Sequence, residues 1–492
     1  MDIYQIISIG LYLVLMISIG FYSYRKSTSN VNEFLLGGRK LGAAVTALSA
    51  GAADMSGWLL MGLPGAMFES GLSASWIALG LTIGAYMNYV LVAPRLRVYT
   101  EKASNAITIP DYFEKRFHDN KRVLRFISGL VILVFFTLYT SAGMVSGGKL
   151  FESAFNMDYY TGLWITSSVV VLYTFLGGFL AVSLTDFVQG TIMVLALILV
   201  PIVVFSELGG ISSTFETIRL KDPNYLSLFQ GTTWVGIVSL LAWGFGYFGQ
   251  PHILVRFMAI DTVKQLRSAK RIGITWMAFT VGGALLVGLV GIAYMDQMGQ
   301  SIDDPETIFI FFSKVLFHPL IGGFLLSAIL AAVMSTISSQ LLVTSSSMTE
   351  DFYKNFFRRE ASEKELLLVS RLSVLVVAVV ALGLSFNPKD TILDLVSHAW
   401  AGFGSAFGPV MLFSLLWKRI TRNGAVAGMV VGGLTVLLWT YLVHPFHELY
   451  SMIPGFALSS LAILIVSKIE KQPNAAVEEQ FESVQQELKE TY

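Results

Sequence analysis

Apolar runs of about twenty residues, free or nearly free of charge, recur along the whole chain and are separated by shorter polar stretches. They lie near 5–24, 42–68, 71–93, 124–150, 160–182, 187–206, 232–255, 272–295, 320–349, 367–386, 394–416, 424–443 and 450–467. A hydrocarbon core of about 30 Å is crossed by about 20 residues of helix. The pattern therefore predicts an all-α membrane protein with about 13 transmembrane helices. Alternating segments of about ten residues, the mark of a membrane barrel, are absent. The first run follows Met1 and Asp2 with no basic n-region and no small-residue cleavage site, which predicts a retained helix and not a signal peptide.

Composition agrees with the pattern. Of 492 residues, 54% are hydrophobic and 13% are charged, with a mean hydropathy of +0.66. Soluble domains carry roughly 25% charged residues, so an ordinary soluble enzyme is excluded and most of the surface must face lipid. The 33 basic and 33 acidic residues balance, which points to no nucleic-acid partner. With no cysteine there is no disulfide and no thiolate metal site or nucleophile.

Lys and Arg are retained on the cytoplasmic side of a membrane. With the N-terminus outside and thirteen passes, 28 of the 33 basic residues fall inside. Lys149, Arg219, Lys221, Lys314 and Lys389 remain outside. This predicts a multi-pass protein of the cell membrane with a cytoplasmic C-terminus. The polar stretch 468–492 then reads as a cytosolic, partly helical tail without a catalytic domain.

Enzyme chemistry is not visible. None of His118, His252, His318, His398, His444 and His447 forms an HExxH pair or a metal-ligand cluster with acids, and His444 with His447 reads as a solvated outer loop. Gly402, Gly404 and Gly408 lie inside an apolar run with no preceding strand, so they read as packing and not as a nucleotide loop. Gly424, Gly428 and Gly432 permit close helix contact, within the bundle or between subunits.

Two runs depart from smooth helix. Residues 47–65 read ALSAGAADMSGWLLMGLPG, with glycines at 51, 57, 62 and 65, Pro64, and an acid, Asp54, at membrane depth. Residues 240–251 read LLAWGFGYFGQP, with Gly244, Gly246 and Gly249 before Pro251. The two lie five passes apart, as the interrupted helices of inverted five-helix repeats do. The expected division is a first helix and loop (1–41), a first repeat (42–206), a second repeat with its leading outer loop (207–416), two C-terminal helices (417–467) and the tail (468–492). A break frees carbonyls that suit a cation and amides that suit a carboxylate. The competing reading is that the glycines only pack closely and Pro64 only kinks the helix.

Asp54 is costly in lipid and marks an ion path or caps the broken helix. The ninth run adds Ser327, Ser335, Thr336, Ser338, Ser339 and Thr344 to Ser347, neutral oxygens that suit Na⁺ where they line a face and serve as helix glue elsewhere. Asp186, at the start of the sixth run, either caps that helix or faces these hydroxyls as a station for a departing cation. Glu69, Asp394 and Lys149 look interfacial. Trp58, Tyr139, Trp243 and Tyr247 lie at membrane depth, where aromatic walls suit a small, partly apolar solute, although most membrane aromatics belong to interfacial belts.

The stretches SAGAADMSGWLLMGLPGAMFESG (49–71), AWGFGYFGQPHILVRFMA (242–259) and LLSAILAAVMSTISSQLLVTSSSMTEDFYK (325–354) resemble the solute:sodium symporter family, and within it the carriers of proline. The resemblance runs from the first helix to about the thirteenth. It implies a LeuT-like 5+5 inverted repeat, Na⁺ as coupling ion with no organic cofactor, and inward symport of one Na⁺ with each L-proline by alternating access, for nutrition or osmoprotection. It implies a Na⁺ site of the Ala52, Met55 and Ala332 carbonyls and the Ser335 and Thr336 hydroxyls, supported by Asp54. A second Na⁺ position would use Asp186 with Ser335, Ser338 and Ser339, and the solute would meet Ser56, Gly57, Tyr139, Trp243, Tyr247 and Pro251. The alternatives are a Na⁺-coupled carrier of a sugar, carboxylate or vitamin from the same family, or a membrane sensor or channel.

Overall fold

The computed structural model describes residues 2–26, 30–388, 391–442, 449–470 and 475–492. Lys389, His444 and His447, weighed above, lie outside the described residues. Among those described the regular structure is helical, with one parallel bridge, Leu41 to Ile260.

Ten helices are long and apolar enough to span a membrane. Two of them each hold more than one stretch of a pass. Tyr159–Glu207 has 49 residues, about 74 Å if straight, more than twice a bilayer core. It folds back at Gly178 (φ 54°, ψ −145°), a backbone state that L side chains resist. The proof of reversal is that residues 16 positions apart meet one level of the ninth pass. The Tyr173 hydroxyl donates to the Met334 carbonyl (2.9 Å), while Gln189 donates to Tyr12 (2.8 Å), whose hydroxyl meets the Met334 sulfur (3.8 Å). Trp58–Lys102 likewise turns at Gly71 (φ 66°), separating the end of the second pass from the third. The seventh pass is assembled from the short pieces Trp234–Leu241, Ala242–Gly249 and Pro251–Ala259. Resolved in this way, the helices match the thirteen runs.

Side-chain contacts sort the connections into two ends. At one, Arg39 donates to the Met258 (2.5 Å) and Ala106 (2.7 Å) carbonyls, Arg97 to Ile260 (2.7 Å), Arg122 to Asn355 (2.9 Å) and Arg422 to Asp119 (2.6 Å). The tail helix Ala475–Thr491 joins this end through Lys102 and Glu487 (3.0 Å) and Lys418 and Glu482 (3.2 Å). At the other end Lys149 pairs with Glu306 (3.0 Å), and Glu306 accepts the Ile392 amide (3.1 Å) at the start of the eleventh pass. One missed or invented pass would have mixed these groups.

The glycines of the eleventh and twelfth passes are packing residues. A Cβ on Gly402 or Gly404 would strike Phe135 or Met452, and one on Gly424, Gly428 or Gly432 would strike Ser467, Ile463 or the Ser405 carbonyl. The contact that sequence left open between bundle and subunit is therefore filled within the bundle.

Candidate ion and solute site

The second pass breaks where its sequence turns small. Helix Ala43–Asp54 ends at Met55 (φ −79°, ψ 75°), and the chain resumes as a widened turn, Trp58–Gly62, before Leu63–Ser70. The last carbonyls of the first half lose their helical partners, and so do the first amides of the second half. Gly57 sits in the gap because nothing larger fits: a Cβ there would stand 2.5 Å from Ser146 Oγ of the fourth pass.

The ninth pass, Pro319–Ser346, crosses this break. Ser335 Oγ donates to the carbonyls of Ala52 (2.8 Å) and Ala332 (3.1 Å), and Thr336 Oγ1 donates to Ala332 (3.1 Å). Four of the expected cation ligands are thus within hydrogen-bond reach of one another, with Met55 at the adjoining break. All are neutral hard oxygens, the set that suits Na⁺. A hydroxyl rotor satisfies a carbonyl when no ion is present and turns its lone pairs to an ion when one arrives. Of Ser335 and Thr336, Ser335 alone reaches the second pass; Thr336 bonds back four residues along its own helix. Ser327, Thr344 and Ser346 bond back to their own helix four residues earlier, and Ser345 binds the Ser370 carbonyl of the tenth pass.

Asp54 is buried, and one carboxylate oxygen accepts the Tyr247 hydroxyl, so it ties the second pass to the seventh and caps no backbone amide in doing so. Its other oxygen has no protein partner, and the buried Ser56 and Tyr139 hydroxyls lie beside each other. The seventh pass opens at Gln250 (φ −83°, ψ 105°), with Pro251 starting the next helix, where a missing N–H costs nothing. The Gln250 carbonyl oxygen of the side chain and both ring nitrogens of His252 are buried and unpartnered as well. The His252 ring lies edge-on to Tyr139 at 6.1 Å. Orphaned buried polar atoms are uncommon in native interiors, and several of those in this structure lie where the two breaks meet.

Around Asp54 the two directions along the membrane differ. On one side stand rings: Trp243 stacks on Tyr450 (5.3 Å) and Trp400 (6.5 Å), with Trp58 tilted beside it (6.5 Å), and Trp400 donates to the Trp243 carbonyl (2.8 Å). On the other side lies a small cavity of about 30 Å³, lined by Ala47, Gly51, Asp54, Asn88, Tyr247 and Trp276 among others.

Asp186 is not at a helix start, and its carboxylate caps nothing. It accepts Ser49 Oγ (2.7 Å) and the Arg256 guanidinium (3.1 Å), while Ser339 accepts the same guanidinium (2.5 Å). Ser338 instead donates to the Ser335 carbonyl (3.0 Å). Arg256 had counted only as a basic residue beyond the seventh run. The signal that marks it, with His252, is a polar side chain inside the apolar stretch 251–259.

A model of the sodium:solute symporter family matches residues 34–432. The chain is 61% identical to the osmoregulated proline transporter OpuE of Bacillus subtilis, across 97% of each chain. It is 56% identical to the sodium/proline symporter of Staphylococcus aureus, across 96% of this chain and 94% of that one. Among solved structures it resembles a Na⁺-coupled sialic acid symporter in a substrate-bound outward-open state, with a TM-score of 0.82 at 19% identity over 96% and 99% of the chains. It also resembles Mhp1, a nucleobase-cation symporter solved in a closed conformation (TM-score 0.56, 13% identity, 93% and 99% covered). These likenesses establish the LeuT-like architecture.

Proposed function

We propose, from the premise that this chain belongs to the sodium:solute symporter family, that it is a secondary active transporter coupling inward movement of Na⁺ to that of L-proline. The relatives named for proline, alike over nearly their full length, support the solute. The single observation that carries the coupling is the crossing of the broken second pass by the ninth, where Ser335 bridges the Ala52 and Ala332 carbonyls.

In this reading Na⁺ is held by Ala52, Met55, Ala332, Ser335 and Thr336, and it pins the last turn of the inner half-helix to the ninth pass. The two halves of the second pass then present opposite ends to the gap: carbonyls with a negative dipole end to the ion, amides with a positive end to the proline carboxylate. Ser56, Gly57, Tyr139, Tyr247 and Pro251 surround the solute and Trp243 closes over it, so Na⁺ favours the arrangement that proline also favours. Such coupling is reciprocal. Asp54 holds Tyr247 and thereby joins the two breaks. The inverted repeats 42–206 and 207–416 supply one break each.

The end of the molecule that gathers Arg39, Arg97, Arg122, Lys418 and the tail is cytoplasmic, by the distribution of basic residues. The N-terminus is then outside and the cavity beside Asp54 faces inward. Each Na⁺ entering down the membrane potential contributes about 2.3 kcal/mol per 100 mV, enough for roughly fiftyfold accumulation of proline. The test is uptake of labelled proline into proteoliposomes. Concentrative uptake is expected only with an inward Na⁺ gradient; equal uptake without Na⁺, or uptake that never exceeds equilibration, contradicts the proposal.

A further inference from the structure

We infer that Arg256 is a tethered cation occupying the second cation position, beside Asp186, and that it thereby limits coupling to one Na⁺ per proline. The inference rests on the Na⁺–proline reading above and adds the residue that holds the ratio at one.

The two helices that build the Na⁺ site build a second cluster one turn farther along. Ser339 follows Ser335 by four residues and Ser49 precedes Ala52 by three, which is one turn of helix on each. Asp186 of the sixth pass completes the cluster. A carboxylate and two hydroxyls, all buried, form a set of hard oxygens that would itself suit a cation. The guanidinium of Arg256 already fills it. Its Nε donates to Ser49 (3.0 Å), Nη1 to the His252 carbonyl (2.7 Å), and Nη2 to Asp186 (3.1 Å) and Ser339 (2.5 Å). Its face rests on the Phe179 ring at 5.3 Å. The one negative charge of Asp186 is met by the one positive charge of Arg256, both fully buried. A metal cation added at the same carboxylate would place two positive charges against one in a desolvated space. Arg256 is also anchored by its own backbone in helix Pro251–Ala259, so it does not leave with the cargo.

Removing the guanidinium without removing Asp186 leaves an uncompensated carboxylate among hydroxyls, and Na⁺ is the mobile cation at hand to neutralise it. The experiment measures Na⁺ and proline fluxes together in proteoliposomes holding the full chain. Wild type is expected to carry about one Na⁺ per proline with non-sigmoidal Na⁺ activation, since only the neutral-oxygen site takes the ion. Arg256→Gln is expected to raise that ratio about twofold and make Na⁺ activation sigmoidal, because the vacated carboxylate recruits a cation. Arg256→Lys retains a tethered charge and stays at the wild-type ratio. Arg256→Gln combined with Asp186→Asn returns to it. A wild-type ratio of about two, or a membrane-inserted Arg256→Gln with unchanged ratio and Na⁺ activation, overturns the inference. Should Arg256→Gln not reach the membrane, wild type and Arg256→Lys decide, and a doubled ratio in either overturns it. Loss of Na⁺ dependence in wild type contradicts the transport proposal instead, and so is told apart.

Discussion

The two sides of Asp54 are built from opposite materials. On one side, Trp58, Trp243, Trp400 and Tyr450 lie ring against ring, their centroids 5.3 to 6.5 Å apart. On the other, alanines, glycines and an unpaired Asn88 amide border a small cavity of about 30 Å³. Stacked aromatic pairs contribute about 0.5–1.5 kcal/mol each beyond area burial, and here they add to burial in the continuous apolar core. The cavity opposite has room for about one or two waters, so a larger solute passes only when its lining moves. In the orientation proposed above, the ring side faces outward and the cavity faces inward, with the carboxylate at the divide.

Changes at the divide should erase the contrast most strongly. Asp54→Ala removes a hydrogen bond to a charged group, an interaction of about 1.5–3 kcal/mol, and frees Tyr247. The Na⁺ concentration for half-maximal uptake is expected to rise about thirtyfold while membrane expression falls far less; an unchanged Na⁺ activation curve would remove Asp54 from the coupling. The contrast in access can be read directly, because the chain has no cysteine. Ile274→Cys, on the cavity wall, is expected to react with an impermeant maleimide about tenfold faster from the cytoplasmic side, the side the cavity faces in the proposed orientation. Equal rates from both sides would refute the asymmetry.

On the ring side, Trp243→Ala is expected to raise the half-saturating proline concentration about tenfold, near 1.4 kcal/mol, with Na⁺ activation little altered. An unaltered proline value would take Trp243 out of the site. Gly57→Ala tests the break itself: its methyl meets Ser146 Oγ at 2.5 Å. Overpacking of this kind costs about 1–3 kcal/mol, and a roughly fivefold loss of uptake, partly restored by Ser146→Gly, is expected. Full uptake by the single variant would show that the gap tolerates bulk.

Much of this was legible in the sequence because the bilayer imposes a length on every pass. The thirteen runs, the break beside Asp54 and the hydroxyls of the ninth run follow from hydropathy and from the cost of polar groups in lipid. The seventh pass was legible only in outline. Its glycines invite a break, but Gly244 is there to let the pass lie against the Gly80 backbone, and the chain opens later, at Gln250. Arg256 was hidden by the same arithmetic that revealed the topology. It counts towards the cytoplasmic excess of basic residues, and only the fold shows that helix Pro251–Ala259 turns it inward onto Asp186. Nor does any sequence pattern separate Ser335, which reaches across to Ala52, from Ser346, which bonds back to Leu342. That difference depends on which face of one helix the broken second pass crosses.

The claim on which the account depends is that the Ala52–Ser335 crossing holds the ion that organises the proline site. Its most direct test is calorimetric titration of L-proline into purified wild type and into Ser335→Ala/Thr336→Ala, each with and without Na⁺. Wild type is expected to bind proline about a hundredfold more tightly with Na⁺ present, while the variant, short of two ligands at about 1.5 kcal/mol each, binds weakly and equally in both conditions. A variant that keeps the full Na⁺ enhancement would contradict the account.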